Sequence, residues 1–240
     1  PADMELIEEM ILRLSQLVVD FPEIVELDMN PVMVRASKPC VVDARVILAF
    51  PKRPSPLHLV ISPYPAELES REVTSGGLWI FVRPIRPEDA PILVNLFDTL
   101  SPTSIYYRFF GYLKSLPHSM LVRFTQVDYD REIDLVAVDD GDTDEERILG
   151  VARLITDPDG KHAEFAILTG DPWQGKGVGA RLLEISLKIA KNRGIETVWG
   201  TVLQGNQGML ALGRKLRFKI SRSEEPGEME LTIDLRSITL

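Results

Sequence analysis

The chain has 240 residues, 45% of them hydrophobic and 26% charged, with a formal net charge of −9. That length exceeds one typical domain and falls short of two large ones, and the composition suits a globular protein with a real core. The acidic balance argues against general nucleic-acid binding and favours a cationic partner, while no run approaches the roughly 18 apolar residues of a membrane helix.

Leu6, Met10, Leu14 and Leu17 recur at helical spacing near the start, and two strand candidates follow, "IVELDMNPVMV" and "CVVDARVIL". Residues 1–50 alone make a poor core. Cys40 is the only cysteine, so an internal disulfide and a thiolate metal cluster are both excluded, in keeping with a reducing, cytoplasmic setting. The five prolines between Pro51 and Pro65 rule out a continuous helix or central strand, and residues 51–65 read as a linker.

Beyond the linker, "SREVTSGGLWIFVRPI" reads as two strands joined at Ser75, Gly76 and Gly77. Helical patterns follow at "RPEDAPILVNLFDTL", with Pro87 near its first turn, at "SPTSIYYRFF" with its Ser-Pro start, and at "PHSMLVRFTQV". Strands are predicted at "EIDLVAVDD", "RILGVARLIT" and "HAEFAILTG", the last two joined by the turn-forming "DPDG". A helix near 177–193, a strand "ETVWGTVL", a helix from Asn206 to about Leu216 and strands "FKISRS" and "EMELTIDL" complete the pattern.

The stretch "DPWQGKGVGARLLE" places Gly175, Gly177 and Gly179 between a strand and a helix. Glycines there let the backbone turn tightly, and the first N–H groups of the helix, with its positive dipole end, face the loop, so an anion is the natural occupant. The P-loop pattern fails, because Lys176 lies between glycines and no Ser or Thr follows it, and the dinucleotide fingerprint fails too. His58, His118 and His162 show no metal-ligand spacing, and no metal is expected. "DDGDTDEE" reads as a solvated hairpin loop.

Gln174-Gly175-Lys176-Gly177-Val178-Gly179 matches the pattern of Gln or Arg, two residues, Gly, one residue, then Gly or Ala, of the GNAT superfamily of N-acetyltransferases. It stands in the superfamily's order of strand, loop, helix, strand and "NQGMLALGRKLRF". The chain resembles that superfamily over residues 66–240. "RPIRPEDAPILVNLFDTLSPTSIYYRFFG" and "FTQVDYDREIDLVAV" look like the acetyltransferase domain fused to NDP-forming acyl-CoA synthetases. "LSQLVVDFPEIVELDMNPVMV" is similar to the end of the ATP-grasp domain of those synthetases, where Asn30 and Asp43 would match magnesium-holding positions. In this short remnant, turn and strand-end roles suit both residues better.

The resemblance implies a mixed α/β fold with a central, mostly antiparallel, splayed sheet, and transfer of acetyl from acetyl-CoA to an amine, with lysines of proteins such as acyl-CoA synthetases as acceptors. Gln174, Gly175, Lys176, Gly177, Val178, Gly179 and Ala180 would wrap the pyrophosphate. The backbone of Ile167, Leu168 and Thr169 would hold the pantetheine arm, and Asn206 would begin the helix beside it. Glu164 is the implied general base, since a lysine ammonium must lose a proton before its nitrogen attacks a thioester. Partial desolvation on a central strand would make that carboxylate hold its proton more tightly; an ion pair with Arg153 is the ordinary structural alternative. Where many superfamily members place a tyrosine acid, this sequence has Gly213, and Arg217 replaces a glycine before Phe218. An acetyl-CoA sensor without turnover, a docking module and a small-amine acetyltransferase are the competing readings.

Overall fold

The computed structural model describes residues 4–35, 38–51, 59, 62–141 and 145–238 of the protein, so most of the proline-rich linker and His58 lie outside the described residues. Two compact units emerge, Pro1–Pro63 and Tyr64–Leu240.

In the first unit the helical repeat forms α1, Met4–Asp20. The two predicted strands become four: β1 (Ile24–Met29), β2 (Val32–Arg35), β3 (Lys38–Val41) and β4 (Ala44–Leu48). β1 pairs with β4 and β2 with β3, both antiparallel. The division falls at Pro31, which has no N–H to give to a ladder, and at Val42–Asp43 opposite it. Here the Asn30 N–H donates to the Asp43 carbonyl at 3.2 Å and the Val42 N–H to the Pro31 carbonyl at 3.1 Å. Asn30 and Asp43 are thus backbone partners at the joint between two ladders.

The second unit is built on an eight-stranded sheet. Its strands are β5 (Ser70–Val73), β6 (Trp79–Pro84), β7 (Glu132–Asp139), β8 (Ile148–Thr156), β9 (His162–Thr169), β10 (Thr197–Leu203), β11 (Lys219–Arg222) and β12 (Glu228–Asp234), in the order β11-β12-β10-β9-β8-β7-β6-β5. Every pairing is antiparallel except β9 with β10. Alternation along β7 sends Ile133, Leu135 and Ala137 to one face, and Val136 and Val138 to the other. The first face is covered by α5 (Val178–Asn192), through Leu182, Leu183, Leu187 and Ala190. The second is covered by α2 (Ala90–Asp98), through Leu93 and Leu96, with α4 (His118–Thr125) alongside.

Local chemistry sets the helix ends. Ser101 caps α3 (Pro102–Phe109) by accepting from the Ser104 N–H. Pro87–Asp89 forms a 3-10 turn ahead of α2, closed by a buried fork: Arg83 Nη1 and Nη2 each donate to Asp89 at 2.7 Å, while Asp89 also accepts the Arg86 N–H at 2.7 Å. α6 (Gln207–Lys215) starts at Asn206, whose Oδ1 accepts the Met209 N–H at 3.0 Å. Gly213 within it lies against β12, since a Cβ there would meet Leu231 Cδ2 at 2.5 Å.

α6 ends in a Schellman motif. The Arg217 N–H donates to the Arg214 carbonyl (3.1 Å) and the Phe218 N–H to the Gly213 carbonyl (2.9 Å), which puts Arg217 in the left-handed region at φ 66°. A side chain there is strained. Arg217→Gly should therefore stabilise the protein by about 1 kcal/mol, raising the thermal midpoint by roughly 2–4 °C; an unchanged or lower midpoint would show that the Arg217 side chain makes contacts that offset the strain.

Candidate active site

β9 and β10 pair only over Thr197–His162, Val198–Ala163 and Trp199–Glu164, then part. Phe165 lies so close to β10 that a Cβ on Gly200 would meet its ring at 2.7 Å and its carbonyl at 2.9 Å, and Phe218 packs against it at a tilt, with ring centroids 5.2 Å apart. A cleft of about 870 Å3 opens beyond this wedge, between the end of β9, the start of α5, α6 and α3.

The free edge of β9 has a definite pattern. The Gly170 N–H donates to the Leu149 carbonyl at 3.0 Å, and the β8–β9 register is unbroken. Antiparallel alternation therefore turns the backbone groups of Ala166 and Leu168 towards β8, and those of Ile167 and Thr169 towards the cleft. The expected backbone site is corrected at Leu168: its N–H is committed to the sheet, and only its side chain faces the helices.

At the end of the cleft, the N–H groups of Val178, Gly179 and Ala180 begin α5 with no earlier turn to receive them, the first intrahelical bond running from the Arg181 N–H to the Gly177 carbonyl at 3.0 Å. Gly175 and Gly177 have φ of 73° and 87°. Gly177 also abuts the β5–β6 turn, where a Cβ would meet Ser75 Oγ at 2.4 Å, and the Gly76 N–H donates to the Lys176 carbonyl at 3.2 Å. The loop is thereby fixed from outside as an oriented set of donors. Val178 has its side chain in the core, so it can contribute only main-chain groups to the cleft, and the Lys176 side chain is exposed. Gln174 holds the loop together, since its Nε2 donates to Ser104 Oγ, the Thr169 carbonyl and Asp171 Oδ1 at 3.1, 3.2 and 2.9 Å. Asp171, which sequence reasoning did not single out, also accepts the Ser101 N–H and the Ser104 hydroxyl. Asn206 lines the cleft, with Oδ1 occupied by its cap.

Glu164 stands at the apex, the last residue of β9 paired with β10. Its side chain is exposed and lines the cleft, which corrects the expected desolvation: the strands part at this residue and nothing covers it. Nor does it pair with Arg153, which lies against Asp134 (Nε to Oδ2, 3.2 Å) and Glu132. Asp134 is buried, and burial pushes its carboxyl up to about 8, against the pull of Arg153. Tyr107 Oη lines the cleft and donates to the Gly205 carbonyl at 2.9 Å, tying α3 to the loop before α6. His162 pairs with Asp159 at 2.6 Å, His118 is exposed, and no cluster suited to a metal ion occurs among the described residues.

Residues 102–218 match the Acetyltransferase (GNAT) family and residues 1–48 the ATP-grasp domain. The GNAT domain of S. lividans PAT is 31% identical, with a TM-score of 0.66, over 72% of this chain and 99% of that one. The chain belongs to the GNAT acetyltransferase family. An acetyltransferase of Pseudomonas aeruginosa is 26% identical over 149 residues, 61% of this chain and 78% of that protein. The N-terminal 20% of the chain has a separate likeness, 48% identity over 48 residues to an ADP-forming acetate–CoA ligase of Archaeoglobus fulgidus, of which it spans 7%. No helix among the described residues is long and apolar enough to cross a membrane.

Two features of this GNAT site yield measurements. Gly200→Ala should cost about 1–3 kcal/mol, because neither the Phe165 ring nor its carbonyl can withdraw without opening the core. Gly208→Ala, whose nearest neighbour would be Asn206 Oδ1 at 3.8 Å, should be neutral or stabilising. Equal denaturation midpoints for Gly200→Ala and the parent would refute the wedge. For Asp134 the folded state holds the proton more tightly than the unfolded chain does. The stability it contributes is therefore complete below about pH 4 and is lost as pH rises through about 8. Asp134→Asn should flatten that decline in urea midpoints taken from pH 5 to 8.5; an identical slope in both proteins would remove Asp134 as its source.

Proposed function

We propose that the protein transfers the acetyl group of acetyl-CoA directly to lysine side chains of proteins, acyl-CoA synthetases among them, with Glu164 as general base. The observation that carries this reading is the parted strand pair: a free backbone edge on β9 runs from an exposed carboxylate at the apex to the open N–H groups of α5. A pantetheine arm suits an edge with alternating donors and acceptors, a pyrophosphate suits the helix start, and the thioester then falls beside Glu164. The lysine acceptor draws support from the net charge of −9, which favours approach of cationic groups, and from the ATP-grasp segment on the same chain.

In this mechanism Glu164 takes a proton from the ammonium, directly or through water. The amine nitrogen attacks the thioester carbonyl carbon, and an open-edge N–H stabilises the tetrahedral oxyanion. As the carbon–sulfur bond breaks, the tetrahedral nitrogen gives up its remaining extra proton, which reaches the departing thiolate through water, leaving the neutral amide and the free thiol. Residues 66–240 hold every group named here. Residues 1–50 have no part in the chemistry, and residues 51–65 serve as a linker.

Two measurements test the reading. Acetyl-CoA should raise the melting temperature and bind in a calorimetric titration, and absence of binding at millimolar concentration would overturn the coenzyme assignment. Glu164→Gln should retain that binding while turnover falls roughly 10²- to 10⁴-fold at neutral pH, with partial recovery as pH rises and more of the amine is already neutral. Equal turnover by variant and parent across the pH range would exclude Glu164 as the base.

A further inference from the structure

Arg108 is a cation without an anion among the described residues. It stands in the last turn of α3, half-buried, and lines both the main cleft and a small cavity of about 40 Å3 behind it, bounded also by Asp134, Arg153, Ala166 and Leu168. Its guanidinium makes no hydrogen bond or ion pair among the described residues, and it packs instead over the Phe109 ring, at 5.2 Å to the centroid. Asp134 lies against Arg153 through Oδ2, and its Oδ1 has no hydrogen-bond partner among the described residues, Arg108 included. Glu164 acts on Arg108 only through its charge and is exposed in the same cleft. Burial and the neighbouring Arg153 pull Arg108 below the usual guanidinium value, with Asp134 and Glu164 opposing, yet a guanidinium stays protonated in proteins. Five N–H donors that are half removed from water and given no acceptor carry a desolvation cost that an incoming acceptor would relieve.

We propose that Arg108 binds a carboxylate carried by the acceptor, so that the substrate class is an amine with a nearby carboxylate, either a lysine flanked by an acidic residue or an amino acid with its own α-carboxylate. Glu164 and Arg108 then form a complementary pair of sites, one taking the ammonium and the other the carboxylate. The fork geometry of the guanidinium matches a carboxylate in two hydrogen bonds, which fixes the amine's direction of approach. This inference rests on the acetyl-transfer reading for the identity of the amine.

The test uses the full chain saturated with CoA for binding, and with acetyl-CoA for turnover. Peptides with Glu or Gln beside the lysine, and Nα-acetyl-lysine against its amide, serve as acceptors. The parent should bind the carboxylate member of one pair, and hold a lower KM for it, by roughly 10- to 100-fold; the peptide pair or the amino-acid pair showing the effect identifies the source of the carboxylate. Arg108→Gln should abolish the preference and Arg108→Lys should keep a fraction of it, with acetyl-CoA affinity unchanged in both. Lack of any carboxylate preference in the parent, including lack of binding by every acceptor, overturns the inference, as does a preference that survives in Arg108→Gln. Failure of the acetyl-transfer reading is read separately, as absence of acetyl-CoA binding.

Discussion

The site depends on the contact of Phe165 with Gly200. A parallel pair such as β9 and β10 would ordinarily continue its ladder to the end of the shorter strand, satisfying every backbone group. Here the Phe165 ring and carbonyl fill the space that a side chain at position 200 would need, and Phe218 packs against the ring. Only a residue without a side chain passes at that point. The consequence is chemical as well as geometric, because Ile167 keeps its main-chain groups and Thr169 its N–H facing a cleft, the Thr169 carbonyl already being taken by Gln174. An unpaired strand edge inside a domain is costly unless something completes it, and in the proposed reading an extended ligand arm would supply the missing partner without disturbing the rest of the sheet.

Around this parting the other elements act as fixtures. The β5–β6 turn holds the glycine loop through Gly76 and Ser75. Asp171 and Gln174 join that loop to the cap of α3, and Tyr107 joins α3 to the loop before α6. α3 thus spans the open side of the cleft while its own last turn presents Arg108. The same short helix sets both the mouth of the cleft and the charge found there. A pre-set site of this kind spends little binding energy on ordering itself, which leaves more to orient the reacting groups.

Much of this was legible in the sequence because it is local. Alternation and 3.6-residue spacing placed the strands and helices of the second unit, and the Ser-Pro start, the "DPDG" turn and the alternating glycines each carry their own backbone chemistry. The break of the N-terminal strands at Pro31 was visible in principle, since a proline inside a strand run argues against a continuous ladder. Long-range facts were not legible. Nothing in "RPIRPED" reveals that Arg83 reaches Asp89 in a buried fork, because the pattern alone shows neither burial nor direction. The parting of β9 beside Glu164 depends on Gly200, some 36 residues later, and it reverses the expected desolvation of that carboxylate. Leu168 shows the same limit at the scale of one residue, since its hydropathy fits a strand equally well whichever way its N–H points.

Arg108 and Arg153 show why charge content alone does not locate a site. Both are basic residues near the same buried Asp134, yet Arg153 sits directly opposite it on the neighbouring strand and shares it with Glu132, whereas Arg108 approaches from a helix and finds no acceptor. In the first arrangement Arg153 already has two carboxyl neighbours, Glu132 and the buried Asp134, which burial makes hold its proton more tightly. The second is incomplete among the described residues. In a half-buried setting an unmatched guanidinium destabilises the resting protein slightly and favours any ligand that brings an acceptor, so the imbalance itself becomes a source of specificity. Stability and selectivity therefore occupy neighbouring positions on one face of the sheet, divided by which arginine the strand register has already paired.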